Sequence, residues 1–336
     1  MINNILSTVN LPKTFGKKHQ GKVRDYYISK TQRVIITTDR QSAFDRILGF
    51  IPFKGQVLNQ LSVFWFEKTK DIVQNHLISV PDPNAMIVKN CKVIPIEMVV
   101  RGYISGVTST SIWTAYAKGE RVIYGINFPE GLRKNQKLKK PIITPTTKAE
   151  VGHDERLTEE EILERKIVSK KLWRQMKRVS LALFEKGTKI CAKAGIILVD
   201  TKYEFGLHPP AGGGKLMLID EIHTPDSSRF WIKKTYKERF KKGLEPENFD
   251  KEFLRLWFKK QGYSGDGKPP KMPDEFKKQG YSGDGKPPKM PDEFIAKVSK
   301  RYIQIYEKIT GKKFQIGPQP VADRIKRNLK TYGEIQ

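Results

Sequence analysis

Asp200, Lys202 and Glu204 occupy every second position of the run IILVDTKYEFG (196–206). In a strand they share one face, while Val199, Tyr203 and Phe205 share the other. A Pro/Gly segment, LHPPAGGG, follows, and then a second apolar run, KLMLIDEIHT (215–224). Two apolar runs around such a segment predict a hairpin. Folding it about Gly212 predicts that Glu204 lies opposite Asp220. Like charges opposed on adjacent strands are destabilising, so the pair calls for a cation between them. Ligands that are all oxygen point to magnesium, which commonly brings a nucleotide's phosphates with it. The alternative is a solvated strand face in another register, because a slip of one residue exchanges the two faces.

Other segments carry groups suited to anions. Gly21, Lys22, Val23, Arg24 and Asp25 join two strand-like stretches. A glycine with alternating cations can cover phosphates with its amides and with Lys22; a short basic hairpin turn explains the same residues. Arg101 leaves an apolar strand for a Gly/Ser-rich turn within EMVVRGYISGV. Its guanidinium suits bidentate binding of phosphate or carboxylate, or pairing with a structural acid. After Asp220, the stretch 221–231 combines hydroxyls with Arg229, while His223 reads as a structural or surface histidine rather than a base. The polar segment TPTTKAEVGHDE (144–155) offers Lys148 as a phosphate contact, with His153, Asp154 and Glu155 as weaker candidates.

These residues need a frame of strands and helices. The β-branched run RVIITT (33–38) and the run CKVIPIEMVV (91–100) predict strands, and the spacing of Val57, Leu61, Phe64 and Trp65 predicts a helix over 56–68. A short helix over 108–118 is expected to stop at Gly119. Thr158 with Glu161 forms a capping box. Leu172, Met176, Val179 and Leu183 then repeat at helical spacing, with Gly195 past the helix end. A C-terminal helix over 295–310 ends at Gly311, and a short basic one follows from Val321. Helix leading directly into the strand of Asp200 gives a mixed α+β arrangement.

The bulk composition narrows the classes. A chain of 336 residues, 38% hydrophobic and 10% aromatic, has material for a substantial core. Cys91 and Cys191, the two cysteines, lack metal-ligand spacing and suit a reducing compartment. No run reaches membrane-spanning length and the first residues lack a secretory core, so a cytoplasmic protein with no membrane partner is expected. The formal charge of +27 is compatible with nucleic-acid binding, but its lysines are spread along the chain without a recognisable motif, so no nucleic-acid partner is expected. Residues 259–276, KKQGYSGDGKPPKMPDEF, are repeated without change at 277–294. Two Gly/Pro-rich copies predict a surface loop of no functional consequence.

Taken together, LVDTKYEFG (198–206), VIPIEMVVRGYISGV (93–107), GKVRDYY, TTDRQSAFDR, TPTTKAEVGHDE and DEIHTPDSSRFW resemble the SAICAR synthetase family over nearly the whole chain. The resemblance implies an α+β fold in which an N-terminal antiparallel-sheet domain (1–100) and a larger α+β domain (101–258) flank a cleft. The duplicated loop (259–294) and a C-terminal helical segment (295–336) complete it. It implies a cytoplasmic, ATP-dependent ligase of purine biosynthesis that joins L-aspartate to carboxyaminoimidazole ribotide through an acyl phosphate. The cofactors it implies are ATP and Mg2+. By similarity, Glu204 and Asp220 hold the metal, Lys22, Arg24 and Lys148 contact ATP phosphates, and Glu97 and the backbone around Val93 serve adenosine. Arg101, Asp200, Lys202 and Arg229 bind the ribotide, with Lys202 and Asp200 catalytic. One departure is Val107, which stands where the family signature usually has a serine; Thr108 or Ser109 are the nearby hydroxyls. The second copy of the repeat is an addition to the family pattern. Two other readings differ in kind. A kinase would use a similar lysine and acids, but no HRD-type loop or DFG is present. A nucleic-acid-binding module would rest on charge alone.

Overall fold

The computed structural model describes residues 5–44, 46–107, 111–148, 155–210, 214–263 and 287–332. Gly212, Thr108, Ser109, His153, Asp154 and most of the duplicated segment lie outside the described residues. In chain order the strands and helices of the first part are β1 (Lys17–Gln20), β2 (Arg24–Ile28), β3 (Gln32–Thr37), β4 (Arg40–Ala43), β5 (Arg46–Phe50), α1 (Lys54–Thr69), β6 (Leu77–Asp82) and β7 (Ala85–Lys89). There follow β8 (Lys92–Ile104), α2 (Ile112–Ala117), β9 (Val122–Ile123), β10 (Ile126–Asn127), β11 (Gln136–Ile143), β12 (Thr146–Thr147), α3 (Glu159–Glu164) and α4 (Lys170–Lys193). The rest is β13 (Ile196–His208), β14 (Lys215–Ile219), β15 (Ser228–Ile232), α5 (Lys233–Lys241), α6 (Glu252–Lys260), α7 (Asp292–Thr310) and α8 (Val321–Leu329).

The chain divides into two compact units, each discontinuous in sequence: Met1–Val63, Leu77–Asn90 and Phe249–Gln336 in one, Phe64–His76 and Cys91–Asn248 in the other. A boundary at 100/101, as the linear reading expects, falls inside β8. In the first unit an antiparallel sheet of order β1-β2-β3-β7-β6 is covered by α8. Val321, Ile325 and Leu329 recur at four-residue spacing, which places them on one helical stripe, and they pack on Tyr27, Val34, Ile36, Ala85 and Ile87. Arg324 from the same helix donates to both oxygens of buried Asp82 at 2.8 and 3.0 Å, fixing the helix to β6.

In the second unit the sheet runs β11-β8-β13-β14, with β12 added on β8 and β15 added on β13. Thr158 and Glu161 form the expected capping box, but it opens the short α3 rather than the long helix. Lys166, at φ 50°, breaks the chain, and Ser169 caps α4 afresh. The buried stripe of α4 is Trp173, Met176, Val179, Leu183 and Cys191, one residue out of phase at its start from the expected Leu172. The helix expected over 108–118 is observed as α2, capped by the Ser111 hydroxyl. Cys91 and Cys191 are buried and are not joined in a disulfide. Among the described residues no helix is long and apolar enough to cross a membrane.

Candidate active site

The middle strand of the second unit gathers the chemistry. One edge of β13 pairs with β8, and the other is shared by β15, over 196–201, and β14, over 204–208. This register puts Asp200 opposite Arg101 on one side and Arg229 on the other. Four residues further, roughly 13 Å along the strand, Glu204 lies opposite Glu97. Asp200, Lys202, Glu204, Arg101 and Glu97 therefore share one face, here called the front. Register irregularities flank the run, between Leu198 and Asp200 against β15 and between Glu204 and Gly206 against β8. Such bulges re-aim side chains beside sites.

At one end of the front face two guanidinium groups meet one carboxylate. Arg229 Nη1 lies 2.6 Å and Arg101 Nη1 3.4 Å from the same oxygen, Asp200 Oδ2. Arg101 Nε also donates to Thr144 Oγ1 at 2.8 Å. One positive charge remains in excess, in a place where water is largely excluded, and that is a setting for an anion. Gly106, at φ 104°, lets the chain pass close by, since a Cβ there would lie 3.1 Å from Arg229 Nη2 and 2.5 Å from Ser111 Cβ. Val107 follows directly and is half-buried.

At the other end two ammonium groups meet two carboxylates, and Asp220 lies close enough for its charge to act on Lys202. Lys202 Nζ donates to Glu97 Oε1 and, at 3.1 Å, to Glu204 Oε1. Lys148 Nζ donates to Glu204 Oε2, and Thr146 Oγ1 lies 3.4 Å from Glu97 Oε2. Burial would raise the Glu204 carboxyl, but the charges of Lys202 and Lys148 outweigh it and bring it to about 2. Burial would lower the Lys202 ammonium, but Glu204, Glu97 and Asp220 hold it well above its ordinary value.

The register corrects the hairpin reading. Glu204 pairs with Ile219, and Asp220 lies one residue beyond the end of β14, turned by a φ of 65°. The carboxylate opposed to Glu204 is Glu97, and the cation between them is Lys202. Lys202, Thr144 and Thr146 thus have structural partners that alternation alone did not reveal; the hydroxyls of the segment 144–147 were the available signal. Val93 is half-buried in a small apolar cluster with Cys91, Met217 and Ile219, beside its register partner Gly206. A Cβ on Gly206 would approach Cys91 Cβ to 2.8 Å, so only glycine lets the strands meet there. Glu155 is exposed, its amide donating to Thr147 Oγ1. His223 is wholly buried, as a structural histidine is.

In the first unit Lys22 is exposed on a turn closed by the Gly21 amide donating to the Arg24 carbonyl at 2.8 Å, while Arg24 itself is buried. The sequence reading passed over Arg40, which donates to the carbonyls of Gly21 and Lys22 and to Asp25 and so braces that turn. The same unit holds a cavity of about 790 Å³ lined by Phe15, Tyr27, Lys30, Arg33 and neighbours, but none of the residues singled out for chemistry reaches it.

Magnesium can be weighed against these donors. Among the described residues no three His, Cys, Asp or Glu side chains converge as a ready-made cage. Magnesium does not demand one, being held typically by one or two carboxylates together with phosphates and water. Glu204 and Asp220, beside a local excess of negative charge, fit that donor set.

Fold and site define an α+β protein whose antiparallel sheet presents, on one face, an arginine pair sharing one carboxylate and a lysine–carboxylate cluster. The chain matches the family model described as SAICAR synthetase over residues 17–271. It is 51% identical over 331 residues to the phosphoribosylaminoimidazole-succinocarboxamide synthase of Legionella pneumophila (strain Paris), covering 97% of this chain and 98% of that protein. It is 54% identical over 261 residues to the chloroplastic enzyme of that name from Vigna aconitifolia, covering 77% of this chain and 75% of that one. The SAICAR synthase from Saccharomyces cerevisiae, solved as a complex with SAICAR, matches its structure with a TM-score of 0.73 at 30% identity, over 93% of this chain and 100% of that one. The chain belongs to the SAICAR synthetase family, the ATP-dependent, amide-forming ligases of purine biosynthesis.

Proposed function

We propose how the front face carries out the reaction of this family. The enzyme joins L-aspartate to the carboxylate of carboxyaminoimidazole ribotide, giving SAICAR, ADP and phosphate. A carboxylate is a poor electrophile because oxide does not leave. Transfer of the γ-phosphoryl group to it makes an acyl phosphate; the aspartate amine then forms the C–N bond as the C–O bond to phosphate breaks. Such a course needs positioning and charge neutralisation more than covalent help from the protein.

The roles divide along the sheet. Arg101 and Arg229 bind the ribotide, with Asp200 holding both guanidinium groups in place. Lys202 stands between that anion site and the carboxylate cluster, and its raised pKa keeps it protonated, so it acts as a fixed charge and not as a base. Lys148 contacts the phosphates of ATP, and by similarity so do Lys22 and Arg24. Glu97 and the backbone around Val93 serve the adenosine. Glu204 and Asp220 would hold magnesium, which supplies charge neutralisation to the phosphates when bound.

The observation that carries this reading is the division of charge on one face, positive excess at Asp200 and negative excess at Glu204. The test is ADP release by purified protein with ATP, Mg2+, the ribotide and L-aspartate, each omitted in turn. ADP and SAICAR are expected only when all four are present. ADP formed at full rate without aspartate would mean a kinase, and absence of turnover with all four would sink the reading.

A further inference from the structure

We infer that His223 is a positioning residue, which, clamped by Tyr203 on the back of the sheet, fixes the loop that presents Asp220 and Arg229 to the front. Its functional part rests on the role proposed above for Asp220.

The loop 220–227 joins β14 to β15 and contains two non-glycine residues in the left-handed region, Asp220 at φ 65° and His223 at φ 47°. Aspartate and histidine enter that region more readily than most non-glycine residues, yet it remains sparsely populated for them, and two such residues in one short loop are held there by their contacts. The His223 ring supplies them. It is wholly buried, its Nε2 is 2.6 Å from Tyr203 Oη, and it meets the Trp65 ring edge-on at 4.6 Å between centroids. The ring occupies the space left by Gly187 on α4, where a Cβ would come within 2.2 Å of His223 Cε1. Its Nδ1 is buried without a hydrogen-bond partner among the described residues. A site selected only for stability would favour an apolar side chain over that atom.

Tyr203 lies between Lys202 and Glu204, so the strand alternates front, back, front. Its hydroxyl thereby links the reacting face to the loop. The loop is tied a second time, because the Lys202 amide donates to the Ser227 carbonyl at 3.0 Å and the Thr224 carbonyl accepts the Ser227 and Ser228 amides. Asp220 and Arg229 lie at the two ends of this doubly held segment. Burial depresses the imidazole to about 3, so it is neutral at working pH and its part is geometric.

The test compares the full-length protein with His223→Leu, His223→Gln and Tyr203→Phe, and uses Asp220→Asn as a reference. Three quantities are read: amide exchange of residues 221–228 in ligand-free protein, Mn2+ binding in the presence of ADP, and the pH profile of kcat/KM. His223→Leu is expected to speed loop exchange at least tenfold, with α4 amides unchanged, and to weaken Mn2+–ADP binding about tenfold. Its kcat at saturating Mg2+ should stay within threefold of the parent, and its pH profile should keep its shape. His223→Gln, which can still reach the Tyr203 hydroxyl, should recover most of the loss, and Tyr203→Phe should fall between. Unchanged loop exchange in both His223→Leu and Tyr203→Phe overturns the inference, as does a displaced pH profile, which would make His223 an acid or base. If His223→Leu does not fold, His223→Gln and Tyr203→Phe decide. If Asp220→Asn leaves Mn2+ binding unaltered, the metal role of Asp220 fails, while loop exchange still judges His223.

Discussion

Glu97 and Glu204 face each other directly across β8 and β13, and one ammonium, Lys202, donates to both. Two carboxylates in register would repel, so the sheet is closed here by a charge that the chain itself supplies. The same lysine lies two residues from Asp200, at the arginine end of the face.

Replacing Lys202 with methionine therefore removes more than a substrate contact. The two carboxylates, 9% and 6% exposed, are left opposed without their shared donor. Breaking a buried pair in this way costs about 3 kcal/mol. Urea unfolding should show that loss, and ADP release should fall at least a thousandfold. Adding Glu97→Gln should restore part of the stability and none of the turnover. A Lys202→Met protein as stable as the parent would mean that the pair does not govern the fold.

Glu204 gives the fold a pH dependence at the acid end. Its carboxyl lies at about 2 in the folded protein against an ordinary 4.5. A group depressed on folding stabilises above its unfolded pKa and loses that contribution as pH falls toward the folded one, here between about 4.5 and 2. The shift corresponds to about 3 kcal/mol. Chemical denaturation over that range should show a steep loss in the parent and a shallower one in Glu204→Gln. The same variant should lose magnesium-dependent turnover at neutral pH. Equal slopes in the two proteins would remove the charge assignment.

Much of this site was legible from alternation, and what was not has a physical reason. A period of two places Asp200, Lys202 and Glu204 on one face whatever lies beside them. It says nothing of which strand is the neighbour, and β8, more than ninety residues earlier in sequence, provides Glu97 and Arg101. Asp220 falls outside the ladder because the chain turns into the left-handed region one residue beyond β14, and apolar alternation does not show where a strand ends. Helices were read well where caps marked them, as at Thr158 and Gly311. The break at Lys166 was hidden because a lysine does not mark a left-handed position.

Asp39 acts in the opposite sense to Glu204. Its oxygens accept the Leu6 and Gly55 amides, at 2.9 and 2.8 Å, and burial nevertheless raises its carboxyl to about 6. A carboxyl raised on folding binds its proton more tightly in the native state. Stability from this group therefore falls as pH rises from about 3.8 to 6. The fall amounts to about 3 kcal/mol. Both proteins share the gain from Glu204 at the acid edge, so unfolding across that window is read as the stability difference, parent minus Asp39→Asn, which should fall as pH rises. A difference that does not change with pH would place the origin elsewhere.

The duplication can be removed while keeping a residue of the same type at each packed position among the described residues. Because the copies are identical, deleting 259–276 or 277–294 yields one and the same protein. The described contacts use the start of one copy and the end of the other: Tyr263 is buried against Phe44 and Phe258, Met290 is buried, and Phe294 stacks on Phe253 and Trp257. The single-copy chain keeps a residue of the same type at each position, with Ser-Gly-Asp-Gly-Lys between Tyr263 and the following Pro-Pro. Shortening the connection by roughly two doublings changes closure entropy by about 1 kcal/mol in favour of folding. Stability should rise by that much or less, with ADP release unchanged. A marked loss of either would show that the extra length has become part of the fold.

Val107 is a separable question of affinity. It follows Gly106, whose missing side chain leaves room for the Arg229 guanidinium, so a hydroxyl at 107 would stand next to the arginine end of the front face. A hydrogen bond to a charged group contributes about 1.5 kcal/mol or more, equivalent to at least tenfold in binding. Val107→Ser is therefore expected to lower KM for the ribotide by about tenfold, with kcat and the KM for ATP little changed. The split identifies the contact: a gain confined to the ribotide places residue 107 beside that ligand. An unchanged KM would mean that Arg101 and Arg229 already saturate the anion, and a rise would mean that the valine packs against something the serine leaves exposed.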